Sequence, residues 1–450
     1  IEKIYWNAFT NCESLKEINI PQGLKNIYTS VFEGCTSLTK ATFNNAPISD
    51  LPASLFKNCA SLTSFDIPST VTKIGSSAFE GCSSLPQISL PQNLTELGDD
   101  AFNGCVTLNE LVIPASTVLG NSIIKGCTSI RYFAFSETAT KIPGEFFAGC
   151  EKLQNVYVPA GIKSIGYRAF HNCRELQEIT IPKSVSRIEG YAFENCESLT
   201  SITFPYMTLI YSVGEGAFSG CTSLESADFG SASFADYYLP KRLFYGCKSL
   251  KRFRVPRSVS SLKDDMFNGC SSLQDVDNLE NVLRMENRVF AGCSSLEIAR
   301  ELPELKLMGN GCFADCSSLT GVELTAMSSI PDSTFINCTS IRSMTLPDNI
   351  HQIGAAAFKG CDNLMQIGLP DNIYVIGKYA VQGCNFTQIN LPKNHNTIGE
   401  STFEDCIGLT ESVIPDNVFK LDMNAFAGCR NVETLTLGKS LSSFDSGAFV

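Results

Sequence analysis

The sequence predicts a single solenoid of about 20 stacked repeats, each 22–26 residues long, with short parallel strands along one side. Three observations carry that expectation. Nineteen of the twenty cysteines, from Cys12 to Cys429, recur at intervals of 22 to 26 residues, and only Cys312 stands outside the series. A phenylalanine precedes the cysteine by three positions in 17 of those 19 copies, and the exceptions, Ile124 and Val381, are still apolar. Apolar residues then follow each cysteine at a spacing of two, as in Ile88 and Leu90 or Ile179 and Ile181. A unit of about 23 residues cannot bury its own apolar face, so the copies must stack Phe over Phe and Cys over Cys into one continuous core.

The elements of one copy can be read from Val71 to Pro91, VTKIGSSAFEGCSSLPQISLP. The Ala-Phe-x-Gly-Cys segment is too short for an α-helix and predicts a helical or 3₁₀ turn across the coil from the strand. The residue before the cysteine is Gly in twelve copies, Asn in five and Asp in two, three types that tolerate a left-handed backbone. The apolar period of two after the cysteine predicts a strand. A proline such as Pro91 or Pro182 ends it where a missing N–H does least harm. The whole of 1–450 therefore reads as one solenoid domain. It opens inside one repeat and stops inside another at Ala448-Phe449-Val450, without polar caps, which predicts further repeats or caps beyond both ends.

Composition narrows the function. Hydrophobic residues make up 44% and charged ones 18%, below the roughly 25% usual for globular chains, which excludes intrinsic disorder. A net charge of −12 without a run of five like charges argues against nucleic acid, which demands a concentrated cationic surface. No apolar run approaches the roughly 18 residues of a membrane helix, so direct membrane insertion of this segment is not expected. The cysteines form no Cys-x₂-Cys pair and are read as a ladder of buried free thiols, with Cys312 the one to test for exposure. His171, His351 and His395 fall in different repeats at positions expected to face solvent, so no Cys–His or Ser–His pair is in prospect. The expectation is therefore no enzyme, no metal and no cofactor.

The Leu-x-x-Ile-x-Ile-Pro strand, the Ile-Gly-x-x-Ala-Phe-x-Gly-Cys turn and the 23-residue period resemble the BspA-like, Treponema-type class of leucine-rich repeats over all of residues 1–450. The resemblance implies a leucine-rich-repeat solenoid with its parallel strands on the concave face. Turns, short 3₁₀ segments or short strands would lie on the other side. It also implies a secreted or surface-displayed protein of a host-associated microbe, adhering to host matrix, cells or other microbes, with signal and anchor outside this segment. The class offers no catalytic motif to carry over.

Candidate binding residues are those that depart from the small polar outward positions of the strands. Tyr132 and Tyr157 put rings on neighbouring strands. Arg252 and Arg254 share one strand, with Asp228 on the strand before and Asp275 and Asp277 on the strand after, and cross-strand ion pairing accounts for them without a ligand. The two longest repeats insert residues at the same phase, 205–211 and 230–238, bringing Tyr206, Tyr211, Phe234, Tyr237 and Tyr238 to adjacent loops on one rim. Such aromatics give contact area at low entropic cost, while compact self-packing of the loops is the alternative. The expected function is recognition of a protein or glycan partner through the concave face and these rim loops; a spacer projecting another domain is the rival.

Overall fold

A computed structural model of the chain describes all residues except 45, 205–208, 211, 230–232, 235–236 and 298–301, and the side chains of 209, 210, 233 and 234 are likewise not described. Each repeat folds as one coil carrying up to two short strands, and every ladder that these form with equivalents in adjoining coils is parallel. The strand after the cysteine is up to three residues long. Tyr132–Ala134 pairs with Asn155–Tyr157 and Ser343–Thr345 with Gln366–Gly368, each in strict register. The second strand has two residues and precedes the Ala-Phe turn, as in Asp50–Leu51, Lys73–Ile74 and Glu96–Leu97, one beside the next. Its inner residue is the Ile of the Ile-Gly signature, fully buried at Leu51, Ile74 and Leu97.

The Ala-Phe-x-Gly-Cys segment differs from the 3₁₀ expectation. Its N–H groups alternate between two kinds of partner. Ala78, Glu80 and Cys82 donate within their own coil, to the carbonyls of Gly75, Ser77 and Phe79. Ser77, Phe79 and Gly81 instead donate to Asp99, Ala101 and Asn103 of the next coil, at 2.8 Å each. A 3₁₀ helix would bond every N–H to the carbonyl three residues back in its own segment; here every second one crosses to the next coil. The alternation needs two left-handed residues per coil, Gly81 at φ 73°, where the sequence points to one, and Ser77 at φ 57°, where it does not. The one 3₁₀ helix among the described residues is Leu279–Asn281.

The chain packs as two compact units, Ile1–Leu224 with Asp228–Ala235, and Glu225–Ala227 with Asp236–Val450. Within each, the phenylalanines form a column of near-parallel rings, such as Phe79 on Phe102 at 5.2 Å in the first and Phe267 on Phe290 at 5.4 Å in the second. The two-residue ladder is interrupted. In the first unit it stops after Asn26–Ile27 and after Val118–Leu119, and in the second after Leu307–Met308 and Val375–Ile376. At three of these breaks the next strand is followed by a proline, Pro52, Pro143 or Pro331. Elsewhere the N–H at that position crosses to the preceding coil, as Gly98 does to Ile74 at 2.9 Å; proline has none to offer.

Candidate functional site

The strands after the cysteines alternate in and out, so their outer residues form columns down each unit. In the first unit Phe133 and Val156 point inward, while Tyr132, 60% exposed, and Tyr157 point out. The register pairs Tyr132 with Asn155 and Ala134 with Tyr157, so the two rings sit diagonally on neighbouring strands. Tyr157 Oη donates to Glu137 Oε1 at 2.7 Å, and that bond to a carboxylate holds its phenol above the usual value. Asp228 is an exposed outer residue closing its strand, Ser226–Asp228. In the second unit Arg252 and Arg254 flank the buried Phe253 and lie in register against Asp275 and Asp277. Arg254 Nε stands 3.9 Å from Asp277 Oδ2, the cross-strand pairing that the sequence suggests.

Tyr237 and Tyr238 are elsewhere on the coil. Tyr238–Leu239 belongs to the two-residue ladder and pairs with Ser261–Leu262, whereas the arginines belong to the three-residue one. Tyr237 is 66% exposed, and Lys263 Nζ lies 5.3 Å from the centre of the Tyr238 ring. The turns of the same coil and the next two hold a charged cluster that no single copy of the repeat reveals. Arg242, Asp265 and Arg288 stand five residues before three successive cysteines, at left-handed positions that stack coil on coil. Arg288 grips Asp265 through two bonds, Nε to Oδ1 at 2.8 Å and Nη2 to Oδ2 at 3.0 Å. Burial opposes the charge on Asp265, but these bonds and one from Asn268 outweigh it and keep the carboxyl below its usual range. Reading that column down the sequence would have shown Arg, Asp, Arg in consecutive copies. Tyr206, Tyr211 and the side chain of Phe234 lie outside the described residues; of the two insertions the backbone pairs Leu209–Ile210 with Ser233–Phe234 in parallel.

A family profile described as "BspA type Leucine rich repeat region (6 copies)" matches residues 2–131, 117–239, 237–329 and 328–450. The chain belongs to the BspA-type leucine-rich-repeat family. Among solved structures it is similar to a leucine-rich repeat protein from Bacteroides ovatus, at 23% identity over 99% of this chain and 87% of that one, with a TM-score of 0.53. A leucine-rich cell surface protein from Faecalibacterium prausnitzii matches at 19% identity over 97% and 90% of the two chains, TM-score 0.35. The pneumococcal vaccine antigen PcpA matches at 16% over 96% and 91%, TM-score 0.36. No curated protein matches.

In this BspA-type chain the signature cysteine has a geometric task. Its thiol donates to the carbonyl of the phenylalanine in the preceding coil, Cys82 Sγ to Phe56 at 3.2 Å and Cys150 Sγ to Ile124 at 3.1 Å, where isoleucine replaces it. The same carbonyl also accepts the N–H of its own coil's cysteine. A small side chain with one weak donor suits a site that is otherwise apolar. Burial pushes the Cys150 thiol up to about 12, far from the thiolate a nucleophile or metal ligand requires. Cys312, the one cysteine whose exposure the sequence left to be tested, is buried in the alanine slot beside Phe313 and donates to Glu286 O at 2.9 Å.

The histidines correct a second expectation. Only His351 faces solvent, its ring 6.0 Å from that of Tyr374. His171 is half-buried with Nδ1 2.9 Å from Glu194 Oε2, and His395 is 5% exposed in a core position. Burial pushes both imidazoles below their usual value, against the opposing pull of Glu194 on His171. No group of three or more His, Cys, Asp or Glu stands close enough to hold a metal ion among the described residues.

Proposed function

We propose that this chain is a non-enzymatic recognition module, secreted or displayed at a cell surface, that adheres to protein or glycan partners such as host matrix. The observation that carries the reading is the pair of exposed rings on paired strands, Tyr132 and Tyr157, fixed by ladder register and by the bond to Glu137. A rigid aromatic patch loses little entropy on binding, which favours recognition of a flat partner or a sugar face. A second focus combines rings with cations: Lys263 lies over the Tyr238 ring beside the two-residue ladder, and Arg242 over the Tyr245 ring in the turn that follows. Arg252 and Arg254, facing aspartates, contribute to partner choice through charge rather than through contact area.

The test is binding of the purified chain to arrayed matrix proteins, mucins and glycans, beside Tyr132→Ala/Tyr157→Ala and Tyr237→Ala/Tyr238→Ala variants. Saturable binding lost in one variant assigns the site to that ladder. Binding retained in both moves it elsewhere on the chain. Binding to none of the arrayed ligands would favour the rival reading, a spacer.

A further inference from the structure

Each regular coil places a large aliphatic side chain in the core just after its proline, at a residue whose N–H donates back three positions. Leu94 donates to Pro91 at 3.0 Å and Ile162 to Pro159 at 3.2 Å, and both are fully buried. Leu24, Val71, Val185 and Val259 repeat the arrangement. Two successive coils between Leu94 and Ile162 do not. Thr117 donates to Pro114 and Ala139 to Ser136 in the same way, so they occupy the slot but do not fill it. The phenylalanine column is also broken here, at Ile124.

Both ladders part at the same place. The two-residue ladder ends at Val118–Leu119 and resumes at Lys141–Ile142, and no strand pairing links Tyr132–Ala134 to the coil before it. What remains is a cleft of 540 Å³ between the two coils, floored by Ile113, Leu119, Phe133 and Phe135. Its volume lies within the roughly 300–1,000 Å³ of small-molecule sites. Two of the three threonine hydroxyls in the lining are already committed, Thr117 Oγ1 to Leu94 O at 3.0 Å and Thr138 Oγ1 to Ala115 O at 2.6 Å. Lys141 is the single charged residue of the lining. At its register position Lys73 pairs with Glu96 at 3.1 Å, but Lys141 faces Ser164 on the next strand and has no strand before it. Two acids of the adjoining hollow are engaged elsewhere, Glu145 with Lys125 at 2.6 Å and Glu189 with the Tyr167 N–H at 2.9 Å.

We infer that this cleft binds a small monocarboxylate of about eight carbons, the apolar tail in the space left by Thr117 and Ala139 and the carboxylate on the Lys141 ammonium. The cleft shares the strand Tyr132–Ala134 with the aromatic patch, but the assignment does not rest on adhesion and would survive its failure. Octanoate is the probe, titrated by calorimetry into the full chain and into Ala139→Leu and Lys141→Met, with octan-1-ol as the neutral comparison. Octanoate should bind the native chain saturably, Ala139→Leu should lose at least about tenfold in affinity while melting at a higher temperature, and Lys141→Met should lose about tenfold for octanoate and little for octanol. Methyl resonances of Ile113 and Leu119 should shift during the titration, an independent readout should Ala139→Leu fold poorly. The inference is overturned if octanoate does not bind, if Ala139→Leu folds and binds as the native chain does, if octanol matches octanoate, or if the shifting methyls lie outside the cleft, including the case where only a hydrophobic peptide is taken up.

Discussion

Residues 68–98 and 114–144 of the first unit pass through the same register and the same turns, yet one stretch is closed and the other is parted. In the first, Val71 and Leu94 fill the slot after the proline, Phe79 stacks on its neighbours, and Gly75 and Gly98 let coils approach so closely that a Cβ at Gly98 would stand 2.5 Å from the Ser76 nitrogen. In the second, Thr117 and Ala139 leave the slot part empty, Ile124 breaks the ring column, and Pro143 withholds the N–H that Gly98 supplies. The thiol column runs unbroken through both, Cys82, Cys105, Cys127 and Cys150 each donating to the preceding coil. The repeat therefore has separable parts. Turn and thiol bonds hold the coil spacing, and aliphatic filling together with the ladders decides whether two coils close.

The largest effect expected is on what the two stretches share. Cys59, Cys105 and Cys150 are held at about 12 by burial, against an ordinary value near 9. With the folded value raised, the stabilisation is complete below pH 9 and is lost as pH rises toward 12, because the unfolded chain releases those protons first. Each such thiol contributes about 1.4 kcal/mol per pH unit across that window. Urea midpoints should be level from pH 7 to 8 and fall steeply from 9.5 to 11. A midpoint flat through pH 11 would mean that the thiols are not sealed.

Next in size is the ring column. Phe79→Ala in the closed stretch should cost about 3–5 kcal/mol, whereas Ile124→Ala in the parted one should fall near about 2, since surroundings already loosened relax more readily around a deletion. Equal costs in chemical denaturation would show the parted coils to be packed as tightly as the closed ones. Ala139→Leu sharpens the contrast from the other side. It returns three carbons to the slot and should stabilise by about 2 kcal/mol, at about 0.8 per buried methylene, and a loss instead would mean that Phe135 already fills the space.

The fold was legible because its signal is repeated: nineteen aligned cysteines and seventeen phenylalanines average away local noise. The left-handed residue before the cysteine was legible for the same reason, since Gly, Asn and Asp dominate there. The second left-handed position was not, because it holds Ser77, Arg168, Tyr191 and Ala356, residues with no shared preference for that conformation, held there by hydrogen bonds between coils. His395 was misplaced for a related reason: it occupies a core column usually held by an aliphatic residue, so residue type suggested exposure where register dictated burial. Cys312, the one cysteine outside the series, fills the alanine column of its coil and is buried there. Of the candidate site, the tyrosine and arginine positions were visible as departures from small polar strand residues. The cleft was not, because it arises from two residues being too small, and an undersized residue looks ordinary in a single copy.

The smallest effect concerns the two lysines that share a register position. Lys73 pairs with Glu96 across the closed stretch, with both side chains about half exposed, so Lys73→Met should cost no more than about 0.5 kcal/mol and the loss should vanish at 1 M salt. Lys141 has no carboxylate in pairing distance among the described residues, so Lys141→Met should be neutral at low salt and high salt alike. Urea midpoints of the two variants at 20 mM and 1 M sodium chloride separate the cases. A salt-dependent loss of similar size in both would place an acid against Lys141 and tie the parted coils together by charge. A loss confined to Lys73→Met would leave that ammonium free at the mouth of the cleft, which is the condition for it to hold an anion.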